Sequence, residues 1–443
     1  MQPHTGKLDL AKNRFLYPRN IALLCVVTSV LSCKYSFRAG DVNDKSLQNS
    51  DFLKTHNKNS AKVSTVNMCG VGSSNQTTPA SDISLLVGPE LTVGADGCPH
   101  IVYRPMPEGS KLKLASFNGE KWYTESIPNS AGAHSLDIWI ESEDQVVVAW
   151  SNPKEKVMRL GVRRAPNDWI IQDILNDWIW NVQRFETNWH DRALMVYRSD
   201  EKRSIKNGRI HMLVEDDNVW RMHSIANDIF PETAFTTKQL ALDPETGQAI
   251  IFLSSYYVPP NSKPLGNLWI ARSEPESLTH WETERTPPTG LTQDKIFGGY
   301  VDRDGLMHVF AEENGLGGLG AKPNQLYYIS NSPSQGWTVN LFPGCKPAYC
   351  NIHSIHVKSH DIIDVFYHYD ETPSTRDTAL MWARYDSHRW RTAMIETIAD
   401  HSIVSVAYDL DSTSAVHILL QQRVDSPTHH TVLTHRLLTT AEL

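Results

Sequence analysis

Six tryptophans, Trp122, Trp169, Trp220, Trp281, Trp337 and Trp390, recur 47, 51, 61, 56 and 53 residues apart. Each opens an alternating strand, and each follows a short apolar strand with an aromatic end, at Tyr103, Trp150, Tyr197, Phe252, Phe310 and Phe366. A period of that length made of short strands is the length of a four-stranded propeller blade. A seventh unit, Ile403–Tyr408, Val416–Leu420 and Val432–Leu437, lacks the tryptophan and supplies three strands before Leu443. The pattern predicts an all-β chain, a seven-bladed β-propeller of four-stranded antiparallel sheets over residues 81–443. It also predicts closure by an N-terminal strand, since an unpaired last sheet would leave an adhesive edge. Ile83 to Val87 is the nearest strand-capable run before the first inner strand at Leu91.

The grammar of one unit is plain in the first. Leu91 to Ala95 reads as an inner strand, Asp96-Gly97 as its turn, Pro99 to Tyr103 as the second, Leu112 to Phe117 as the third and Trp122 to Ile127 as the outer strand. Regular spacing assigns the outer tryptophans to packing between neighbouring sheets rather than to a ligand.

Residues 1–33 differ from the rest. Lys7, Lys12, Arg14 and Arg19 precede an apolar run from Ile21 to Leu31 that is too short to span a bilayer, which reads as an export signal. Val30-Leu31-Ser32-Cys33 resembles a bacterial lipobox, and that resemblance implies lipidation of Cys33 and an outer-membrane or cell-surface location, with the lipid as the sole membrane contact. Without an anchor the protein would be periplasmic or secreted. Residues 34–80 are rich in Ser, Asn, Lys and Thr and read as a flexible tether. The net charge of −8 argues against nucleic acid as a partner. In an oxidising compartment Cys345 and Cys350 suit a small disulfide-closed loop, and Cys69 with Cys98 is a second possible pairing.

The units "D-G, apolar strand, aromatic, alternating strand, W" resemble the sialidase-like family of exported bacterial propellers, related to proteins with Asp-boxes, over about residues 83–443. The Asp-box itself is degenerate: Ser332-Pro333-Ser334-Gln335-Gly336-Trp337 lacks the aspartate. The resemblance implies an exported propeller and leaves the activity open, since one fold hosts many. Other motifs dissolve. The glycine-rich run from Asn314 to Gly320 precedes no helix, and Asp302-Arg303-Asp304-Gly305 lacks calcium-loop spacing, so no cofactor and no metal is expected.

In a propeller, inner strands begin at the end of the ring where the loops joining second and third strands lie, and that concave end is where ligands bind. Candidate ligand-binding residues there are His134, Trp180, Lys238, Tyr256, Lys295, His353 and His368, with Arg198 among further loop residues. Histidines with lysines and tyrosines nearby suit an anion pocket or a proton-transfer site. His353 and His356, three apart on a strand, should face opposite ways and share no metal. Two functions follow. One is a monomeric binding protein presenting this end to a glycan or protein ligand. The alternative is a polysaccharide-active enzyme: a lyase using His or Tyr as base with Arg or Lys against a uronate carboxylate, or a glycoside hydrolase using two carboxylates. No catalytic residue is assigned by the sequence.

Overall fold

A computed structural model describes residues 77–438 except 82, 85–87, 142–144, 177–178, 190–191, 200–208, 217–218, 226–233, 244–245, 258–264, 276, 286–293, 303–304, 314–324, 333–335, 343–349, 360–361, 371–377, 387–388, 399–400, 411–414 and 425–429. The export segment, Cys33, most of the expected tether, Cys69 and Cys345 lie outside the described residues.

Seven four-stranded antiparallel sheets form a ring, so the chain is a seven-bladed β-propeller. Blade 1 is Glu90–Val93, Pro99–Tyr103, Lys113–Phe117 and Trp122–Ser126, and blade 2 is Ser135–Glu141, Gln145–Asn152, Val157–Ala165 and Asp168–Leu175. Blades 3 to 6 begin with inner strands Ile179–Trp189, Ala234–Leu242, Asp294–Val301 and Cys350–Ser359 and repeat the order. Blade 7 is His401–Leu410, Val416–Val424 and His430–Leu438, completed by Thr77–Ser81.

Strand alternation explains why the core is a set of wedges rather than one central mass. In the second strand of blade 2, Val146, Val148 and Trp150 face blade 1, while Val147 and Ala149 face blade 3. Seven apolar clusters fill the seven gaps between blades. Trp122, Trp169, Trp220, Trp281, Trp337 and Trp390 each join the cluster between their own blade and the preceding one. The cluster between blades 6 and 7 has no such tryptophan and uses Trp382 and Tyr408. Ion pairs tie the rims, with Arg163 Nε on Glu125 at 2.6 Å and Arg436 Nη2 on Glu396 at 2.8 Å.

Closure by an N-terminal strand is present, but the strand differs from the expected one. Thr77–Ser81 pairs with the last strand through Thr77 with His435, Ala80 with Leu433 and Ser81 with Val432. The closing strand therefore begins inside the segment read as tether. Ile83, expected in that strand, donates its N–H to the Thr431 carbonyl of the last strand at 3.4 Å, bridges to Pro105 and is buried in the cluster between blades 7 and 1, while residues 85–87 lie outside the described residues. The reason is the demand at each position: the outermost strand has a solvent-facing edge, so Thr77-Thr78-Pro79-Ala80-Ser81 suffices and tolerates a proline, whereas the apolar isoleucine is drawn into the seam. Inner strands also seal the ring, with Val93 N donating to Asp409 Oδ2 at 2.8 Å. Cys98 is disulfide-bonded. Nothing is described of the Cys350 side chain at the start of blade 6.

The same seam holds a buried histidine pair. His417 Nδ1 lies 3.1 Å from His435 Nε2, and Trp122 meets His435 edge-on at 5.5 Å. Burial, and then His417, push the His435 imidazole down from 6.5 to about 3. The depressed value means that the folded protein refuses a proton that the unfolded chain accepts below 6.5. This contribution to stability is complete above that pH and is lost as pH falls from there towards 3. Urea unfolding of wild type should therefore lose up to about 1.4 kcal/mol per pH unit between pH 5.5 and 4 from this group, and His435→Gln should flatten that slope relative to wild type. Equal slopes in the two proteins would refute the assignment.

Candidate functional site

Chain direction places most sequence-derived candidates towards one end of the ring, but Lys238, expected at a strand start, is fifth of nine in Ala234–Leu242 because that inner strand begins earlier than its apolar run. His134 directly precedes the inner strand of blade 2, Trp180 is second in that of blade 3, and Lys295 is second in that of blade 5. Tyr256 and His368 are near the ends of second strands, Ala249–Tyr257 and Ile362–Asp370, which finish where inner strands start. Lys295 pairs across its sheet with Glu312, and Tyr256 with Ala234.

Three candidates share a feature that residue identity does not announce. The register between inner and second strands slips at Trp180, between Ile179 and Asn181, at Lys238, between Thr237 and Gln239, and at His353, between Ile352 and Ser354. Comparable slips occur at Phe297 and Val404. Blades 1 and 2 pair these strands without a slip. Each extra residue is a bulge that bends the strand, a device common beside active sites. The slip at His353 also interrupts the alternation on which its separation from His356 was argued. Among the described residues no group of three or more His, Cys, Asp and Glu side chains could hold a metal.

Beside the entry to the inner strand of blade 2 lies a buried arginine that the sequence reading passed over. Arg104 follows the second strand of blade 1 and is 5% exposed. Its Nη1 donates to the carbonyl of Ala133, the residue before His134, at 2.7 Å, and its Nη2 donates to Ser84 Oγ at 2.9 Å. Ser84 N donates to the Arg104 carbonyl at 2.9 Å, which binds the closing segment to blade 1. His134 N donates to the Ser151 carbonyl at 2.9 Å, fixing the entry to the inner strand of blade 2. Burial pushes the Arg104 guanidinium down from its ordinary value, and Glu108 offsets part of that. A signal exists in the sequence: Tyr103-Arg104 repeats Tyr197-Arg198 at the end of a second strand.

Charged networks also occupy the opposite end. His308 lies between Asp302 at 3.0 Å and the Tyr328 hydroxyl at 2.7 Å, and Asp364 accepts from Arg384 and Trp382. These residues sit at the start of second strands and hold neighbouring strands together. Glu215 is raised to about 7 by burial and by Glu141, but both belong to strand ends remote from the candidates. That separation does not favour them as a hydrolase pair at the loop-bearing end.

No family model and no curated protein matches the chain. Among solved structures, an ulvan lyase of polysaccharide lyase family PL25 matches with TM-score 0.58 and 10% identity, over 82% of this chain and 96% of its own. The same kind of lyase bound to a saccharide of GlcA(1-4)Rha3S matches with TM-score 0.56 and 11% identity over equal shares. The polysaccharide lyase Uly1 matches with TM-score 0.55 and 10% identity, over 79% of this chain and 90% of its own. Sialidases also match, that of Streptococcus pneumoniae with TM-score 0.41 and 12% identity over 83% of this chain and 69% of its own. At such identities the likeness is one of fold.

Proposed function

We propose that this protein is a carbohydrate-directed propeller that holds a glycan at the end of the ring where the inner strands begin, with His134 at the centre of the contact surface. The observation that carries the reading is the build of that end: His134 is seated by Arg104 and Ser151 through the backbone on both sides, while bulges carry Trp180, Lys238 and His353 in other blades. Aromatic, cationic and imidazole residues on the inner strands that start at this end suit a polyhydroxylated ligand with polar substituents. The three lyase structures with the same ring over most of their length support a saccharide over a protein ligand.

Eliminative cleavage is the second reading, favoured by a half-buried histidine, His134, that follows directly on the carbonyl held by the Arg104 guanidinium. A base there would take the proton from the carbon beside a uronate carboxylate. The glycosidic oxygen would leave the adjacent carbon with the bonding pair, and a carbon–carbon double bond would form. A panel of neutral, uronate-containing and sulfated polysaccharides separates the readings. Binding without ultraviolet-absorbing unsaturated product supports recognition alone, and product formation supports the lyase. Absence of binding across the panel at micromolar protein would count against both.

A further inference from the structure

We infer that Arg104 forms the floor of an anion subsite beside His134, receiving one carboxylate or sulfate group of the ligand. The inference deepens the glycan reading and rests on it for the identity of the ligand. It starts from a charge left without a counter-charge. Arg159, Arg163, Arg272, Arg384 and Arg436 each have a carboxylate oxygen within 2.6–2.9 Å. Arg104, at 5% exposure, has none among the described residues. Its acidic neighbour in electrostatic range, Glu108, is exposed and forms no ion pair with it. A buried cation without an anion is unfavourable, and a ligand group that supplies the anion removes that penalty.

The guanidinium is also prepared to receive one. Ala133 and Ser84 hold its two terminal nitrogens, and Ser84 is itself fixed because Gln421 Nε2 donates to its carbonyl at 3.1 Å. Ser405 Oγ in turn donates to Gln421 Oε1 at 2.8 Å, so blades 7, 1 and 2 all orient the same group. Arg104 Nε is buried with no partner among the described residues, and so is the hydroxyl of Ser151, whose carbonyl accepts from His134. A guanidinium recognises the oxygens of a carboxylate or sulfate by geometry as well as charge. Arg104 is 5% exposed and Ser151 fully buried, so a single small substituent would meet the exposed edge of the guanidinium. A sugar ring would stay above it, against His134.

The test measures melting temperature of the full chain against increasing sodium sulfate, sodium glucuronate or glucose, with ionic strength held constant by sodium chloride. A saturating rise with sulfate, glucuronate or both, and none with glucose, is expected in wild type, and which anion saturates first identifies the substituent. Arg104→Lys, which keeps the charge and loses the fork, should raise the half-saturating concentration at least tenfold, and Arg104→Met should abolish saturation. Equal rises in wild type and Arg104→Lys, or no saturating rise in wild type, would overturn the subsite. Neutral glycans that bind in a His134-dependent way while anions have no effect would leave the glycan reading standing and remove only the subsite. Arg104-dependent anion binding with no polysaccharide bound would do the reverse.

Discussion

A chain beginning at residue 88 should unfold at far lower urea than one beginning at residue 67, and should aggregate on standing. The shorter chain lacks Thr77–Ser81 and therefore exposes the whole edge of His430–Leu438, which the structure otherwise covers. It also loses Ile83, 1% exposed in the seam between blades 7 and 1, and the hydroxyl that holds Arg104. Burial of that isoleucine contributes roughly 2 kcal/mol, and each lost hydrogen bond about 1 kcal/mol. Because every blade is stabilised only by its neighbours, the opening propagates around the ring. Coincident urea midpoints for the two chains would mean that Thr77–Ser81 does not close the propeller.

Gly299→Ala should destabilise the protein by about 3 kcal/mol, as overpacking of a rigid core does. The sign is informative, since replacing a strand glycine by alanine ordinarily stabilises by about 0.5–1 kcal/mol. Gly299 lies in the inner strand of blade 5, and a Cβ there would come within 2.5 Å of the Phe252 ring. Phe252 is fully buried in the wedge between blades 4 and 5, so the ring has no space into which to withdraw. Phe252→Leu combined with Gly299→Ala should recover part of the loss, which a double-mutant cycle in urea would measure. A stabilising Gly299→Ala would contradict the packing described for that wedge.

Most of the ring was legible because its signals are periodic. Alternating apolar residues with Trp122, Trp169 and their successors announce sheets whose two faces both meet a neighbour. The closing strand was misplaced for a local reason. Pro79 argues against a strand in sequence, yet the outermost position of a sheet accepts a proline, and Ile83 looked like strand because it is apolar when it is core. The site was less readable. His134 could be found from its place before an inner strand, but Arg104 looked like an ordinary loop residue, and its burial arises from Ser84 and Ala133 brought to it by ring closure. The bulges at Trp180, Lys238 and His353 left no mark in composition, since a one-residue slip depends on how two strands meet.

The most direct measurement of the functional account is calorimetric titration of wild type and His134→Ala with oligosaccharides from whichever polysaccharide the panel selects. His134 is half-buried with its Nδ1 buried, and lies outside the apolar wedges, so its removal should lower the unfolding free energy by no more than about 1 kcal/mol. The account predicts that His134→Ala binds at least tenfold more weakly while remaining folded. Undiminished binding by folded His134→Ala would contradict it and move the ligand away from this end of the ring.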